Sequence, residues 1–80
     1  MSNDQLKAAI TAALGGEWDK SHRMVQELDG PFACWIHAVL HKIEGDVWNS
    51  RYWYARTQAQ YEDYPDPDTE LKAIMELLEA

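Results

Sequence analysis

Glycine and proline punctuate this chain at short intervals: Gly15-Gly16, Asp29-Gly30-Pro31, Gly45-Asp46 and Pro65-Asp66-Pro67. Each is a place where a helix has to stop, because glycine takes the left-handed turn of a helix end and proline lacks the backbone donor a helix interior needs. Between these stops the apolar residues recur at helical spacing, and nowhere do they alternate as a strand requires. Leu6, Ile10, Ala13 and Leu14 mark a first helix, opened by a capping box at Ser2-Asn3-Asp4-Gln5. Trp18, Val25 and Leu28 mark a second, over about 17–28. Phe32, Trp35, Ile36, Val39, Leu40 and Ile43 form one broad stripe of a third, over about 31–44.

A fourth helix is expected over about 47–59, carrying Trp48, Tyr52, Trp53 and Tyr54. After an extended break at Tyr64-Pro65, Asp66 can cap a last helix with Pro67 in its first turn and Leu71, Ile74, Met75 and Leu78 on its buried side. The fold class is therefore all-α: about five helices, arranged as tandem helical hairpins with a C-terminal packing helix. Eighty residues are enough for one domain, 1–80, with a thin core.

A repeat underlies the pattern. A shift of 29 positions lays Leu6 on Trp35, Ala9 on Ala38, Ile10 on Val39, Leu14 on Ile43, Gly16-Glu17 on Gly45-Asp46, and Ser21 on Ser50. Two helix-turn-helix units with one packing plan produce such a register.

Charge and composition narrow the function classes. The formal net charge of −7 opposes nucleic acid, which needs a basic face. The imbalance sits at the end of the chain: residues 57–80 hold seven acids against Lys72, whereas 17–56 holds six acids and five bases. The longest apolar run is interrupted by His37 and His41 and is too short to span a bilayer. Cys34 is the only cysteine, so no disulfide can form within the chain; a lone thiol and a start unlike a signal peptide give the expectation of a cytoplasmic protein.

The segment 33–57 resembles one tetratricopeptide hairpin, through Ala38, the Gly45-Asp46 turn, the small Ser50 and the aromatic Tyr54, although a 29-residue shift is shorter than that family's 34. A closer resemblance is to a family of small uncharacterised bacterial proteins. It is carried by His22, Gln26, Trp35-Ile36-His37-Ala38, Leu40-His41-Lys42, Glu44-Gly45-Asp46, Asn49, Tyr52-Trp53-Tyr54 and Arg56. The resemblance implies a helical fold and a shared surface, and it implies no activity.

Three constellations could carry chemistry. His37, His41 and Glu44 span about a 60° arc of the third helix, away from its apolar stripe, with His22 able to approach from the second helix. Imidazoles one turn apart can share a metal ion, but the set lacks motif framing, and the expectation is a hydrogen-bonded polar face with no tightly bound metal and no cofactor. Cys34 and His37 stand at i and i+3, yet nothing in the sequence lowers the thiol's pKa or orients the pair, so a small packed side chain is expected and no catalytic residue is assigned. On the fourth helix Val47, Tyr54 and Tyr61 share one face, Trp48, Tyr52 and Ala55 a second, and Trp53 points to a third. Either that helix is central, or at least one of Trp48, Tyr52 and Trp53 stands exposed, where aromatics beside arginine make an interface. Arg51 and Arg56 are expected to stack on these rings or to pair with Asp46 and Glu44.

The first expectation for function is a non-enzymatic module for a protein or peptide partner. Its binding residues would be His22, Gln26, His37, His41, Trp48, Asn49, Arg51, Tyr52, Trp53 and Arg56, on a concave face lined by the first helix of each hairpin. The alternatives are a small-ligand or metal site built on the histidines and Glu44, and a homo-oligomer that buries its surplus aromatics against a second copy.

Overall fold

A computed structural model describes residues 2–80, and their side chains from residue 3 onward. The capping box expected at Ser2 lies outside the described side chains. The elements are α1 (Ser2–Leu14), α2 (Trp18–Gln26), α3 (Pro31–Glu44), α4 (Val47–Tyr54), a single 3-10 turn (Tyr61–Asp63) and α5 (Pro67–Glu79). No strand occurs among the described residues. The stops act as their chemistry requires: Gly16 and Gly45 adopt φ of 82° and 83°, the left-handed region where a side chain would be strained. Asp46 and Asp66 cap α4 and α5 by accepting from the backbone N–H of Asn49 and Thr69.

The two hairpins, α1–α2 and α3–α4, share one internal bond. The Ser21 hydroxyl donates to the Ala9 carbonyl at 2.7 Å, and the Ser50 hydroxyl donates to the Ala38 carbonyl at 2.7 Å. Both serines are fully buried. The positions differ by the same 29 residues on each side of the bond, so the repeat is one of structure: a small polar residue on the second helix bolts it to a backbone carbonyl of the first.

The helix at the centre is α3, which packs against α1, α2, α4 and α5. Its side carrying His37 and His41 is buried beneath its neighbours and is not a solvated polar face, while Ile43, expected on the apolar stripe, is 41% exposed near the helix end. The core joins Leu6, Ile10, Val25, Ile36, Val39, Leu40, Leu71, Ile74 and Leu78 into one cluster. Each such aliphatic side chain contributes about 1.5–3 kcal/mol on burial.

Two expectations are corrected here. The fourth helix ends at Tyr54 and not near Ala59. The Thr57 hydroxyl donates to the Tyr54 carbonyl and also accepts from the Ala59 N–H, so a side chain takes over groups that a continuing helix would have used. Second, the face of the first helices that would line a concave surface is covered: α5 packs on both α1 and α3, with Leu71 and Ile74 fully buried.

Glu70, one of the C-terminal acids, is also completely buried. Its Oε2 accepts from the Trp35 indole N–H at 2.8 Å and the Tyr54 hydroxyl at 2.7 Å, and its Oε1 lies 2.7 Å from Lys42 Nζ. Burial, and after it that carboxylate, pushes the Tyr54 phenol far above its ordinary pKa. The Lys42 ammonium donates further to the carbonyls of Tyr61 and Tyr64, at 2.9 and 3.0 Å. One buried charge pair thus ties α3, α4, the 61–64 connection and α5 together.

Candidate functional site

On the opposite side of α3 lies a cluster of rings. Trp18 opens α2 and donates its indole N–H to the Leu40 carbonyl at 2.6 Å, which fixes α2 against α3. One turn on, His22 stacks on Trp18, with ring centroids 4.7 Å apart. The edge of His22 meets His37 at 4.8 Å and His41 at 5.4 Å. His37 stacks on Trp53 of α4 at 4.0 Å and 12° between planes. Trp53 then meets Tyr52 edge-on at 5.2 Å, and Tyr52 stacks on Trp48 at 6.0 Å. A continuous run of rings crosses three helices, from half-buried Trp18 to Trp48, which is 74% exposed.

Polar atoms converge inside this run. His22 Nε2 and His37 Nε2 are 3.2 Å apart, so one donates and the other accepts. Burial lowers the His37 pKa to about 4, helped by the adjoining His22 and His41 rings; burial and His41 also lower His22, against Glu44 and Asp19. Both imidazoles are therefore neutral near pH 7. Glu44 accepts from His41 Nδ1 at 2.6 Å, which leaves Nε2 as the free nitrogen of that ring.

Two groups among the described residues bring three metal-ligating side chains within 4.8 Å of one another: His22 with His37 and His41, and His41 with Glu44 and Asp46. The second is weakened by prior commitments, since Asp46 already accepts from the Asn49 backbone and side-chain N–H groups and Glu44 is held by His41. A cleft of about 390 Å³ adjoins the cluster, lined in part by Gln26, Cys34, His37, Trp53 and Arg56. Cys34 shares that cleft with His37, whose Nε2 is engaged by His22.

Of the ten residues singled out from the sequence, eight lie along this run or its cleft: His22, Gln26, His37, His41, Trp48, Tyr52, Trp53 and Arg56. The Arg56 guanidinium sits 4.1 Å over the Tyr52 ring and donates to the Tyr52 hydroxyl at 2.8 Å. Arg51 leaves the group; it pairs with Glu62 at 2.5 Å and lies over Tyr61, so neither arginine pairs with Asp46 or Glu44. Asn49 is engaged within the α4 cap. Trp48 and Tyr52 are the exposed aromatics expected of this helix, while Trp53 is half-buried. Trp18, read from the sequence only as an apolar anchor, is part of the cluster; its place one helical turn before His22 is the signal that marks it.

No family model, curated protein or solved structure matches this chain. The geometry alone supports a functional reading.

Proposed function

We propose that this chain is a non-enzymatic binding module whose α4 surface takes an acidic, apolar-anchored peptide segment of a partner protein. The observation that carries the reading is the Trp48–Tyr52 stack, which stands in solvent with the Arg56 cation laid over Tyr52. Exposed aromatics with arginine are the composition of interface hot spots. The sign of the partner follows from charge: residues 47–60 contain no acid, Arg51 is held by Glu62, and Arg56 is left as the cation beside the stack. The unpaired arginine attracts an acidic segment, whereas two whole chains of net charge −7 repel one another.

Room for apolar anchors lies next to it. An open cleft of about 830 Å³, lined in part by Phe32, Trp35, Arg56 and the exposed Leu77, begins on the other side of Arg56. The test is titration of synthetic Glu-rich peptides bearing leucine or phenylalanine, against lysine-substituted counterparts. Acidic peptides should saturate, more weakly as salt rises, and Trp48→Ala or Arg56→Ala should weaken them roughly thirty-fold if each is a hot spot. Equal affinity for the lysine counterparts, or unchanged affinity in both variants, overturns the reading. A dimeric sedimentation mass abolished by Trp48→Ala would make the occupant a second copy instead.

A further inference from the structure

The geometry points to a site for one divalent transition-metal ion of the zinc class, held by His22 of α2 with His37 and His41 of α3, its remaining position open to water. This goes beyond the peptide reading and does not depend on it, since the ligands lie among the half-buried and buried rings and not on the exposed Trp48–Tyr52 stack.

Three features of the cluster carry the inference. The first is spacing. Two imidazole nitrogens on one tetrahedral zinc, each at about 2.0–2.1 Å, stand about 3.3 Å apart, and His22 Nε2 and His37 Nε2 already stand at 3.2 Å. The most distant pair among the three lies within 4.8 Å, so closure asks at most about 1.5 Å of ring movement. His22 is only half-buried, so the adjustment falls on a side chain that water reaches.

The second is the outer support. A metal-bound histidine usually gives its other ring nitrogen to a carboxylate, which fixes the tautomer and aims the free nitrogen at the ion. Glu44 does this for His41, 2.6 Å from Nδ1. It thereby acts as a positioning residue behind the ligand and not as a ligand itself.

The third is preorganisation. Trp18 stacks on His22 at 4.7 Å and Trp53 on His37 at 4.0 Å, so two of the three imidazoles each rest against a flat indole face. Three histidines from two helices, with no thiolate and no bidentate carboxylate, suit zinc, cobalt, nickel or copper and not calcium or magnesium.

The experiment uses the untagged chain, stripped with chelator. Zn²⁺ is titrated by calorimetry, and Co²⁺ by absorption and tryptophan fluorescence. One equivalent of each is expected per chain. Co²⁺ should quench tryptophan emission, because Trp18 and Trp53 contact the ligands. His22→Ala and His37→Ala should each abolish stoichiometric binding, and Glu44→Gln should retain it with affinity ten- to a hundred-fold lower. Circular dichroism of each variant reports folding; should His37→Ala unfold, the half-buried His22→Ala and Glu44→Gln still decide. The proposal is overturned if the wild type shows no saturable Zn²⁺ binding. It is equally overturned if His22→Ala keeps one full equivalent, which would place the ion on the second group, His41 with Glu44 and Asp46.

Discussion

Lys42 Nζ and Glu70 Oε1 lie 2.7 Å apart, with the two side chains 6% and 0% exposed. A charge pair so far from water is stabilising only while every remaining donor and acceptor is matched. Here the match is complete: Glu70 takes three donors and Lys42 gives three bonds. Lys42→Met should leave a buried carboxylate without its cation and destabilise the protein by about 3–5 kcal/mol in urea unfolding. A loss below about 1 kcal/mol would mean that water reaches Glu70.

The matched hydroxyl bonds of Ser21 and Ser50 give a paired prediction. Ser21→Ala and Ser50→Ala should each lower stability by about 1 kcal/mol, since each removes one buried hydrogen bond while the carbonyl keeps its helical partner. The two losses should be alike and additive, because the bonds sit in different hairpins. Chemical denaturation of both single variants and the double variant measures this.

Stability should depend on pH through His37. Its folded pKa, about 4, lies below the 6.5 of an unfolded histidine. Between those values the unfolded chain takes up a proton that the folded chain refuses, so the contribution is full above about pH 6.5 and is lost as pH falls toward 4. The groups facing the ring are His22 and His41, with Arg56 along the cleft. Water reaching half-buried His22 screens part of the effect, which leaves a loss on the order of 2 kcal/mol. Metal-free wild type and His37→Gln, unfolded in urea at pH 7 and pH 4.5, should differ in slope, with the variant flatter.

Trp48 and Trp53 should separate cleanly in thermal melts. Trp48→Ala removes a ring already in water and should shift Tm by no more than a degree or two. Trp53→Ala removes the face on which His37 stacks and should cost about 2–4 kcal/mol. Similar large losses for both would mean that Trp48 packs against something in the folded protein.

The helices were legible because their stops are chemical: Gly45 and Asp46, or Asp66 and Pro67, dictate backbone geometry within a few residues. The 29-residue register was legible for the same reason, down to the serine pair. The end of α4 was not, because it depends on Thr57 bonding its own neighbourhood and on Lys42 reaching across to the 61–64 carbonyls. The residue type of Glu70 gives no sign of burial, although it sits four residues before Ile74 and eight before Leu78, on their buried stripe. His37 and His41 were visible as a pair, with His22 within reach from the second helix, but the indoles of Trp18 and Trp53 that flank them were not. Which helix covers them is a matter of how the hairpins cross, and periodicity within one helix carries no information on that.

The packing of α5 on both α1 and α3 has a consequence for cooperativity. Arrays of helical hairpins tend to melt piecemeal, each unit leaning only on the next. Here Leu71, Ile74 and Leu78 belong to the same core cluster as Ile10 of the first hairpin and Ile36 of the second. Opening either hairpin uncovers part of the buried side of α5, so amide exchange in α1 and α3 should share one opening free energy despite the repeat in their sequence.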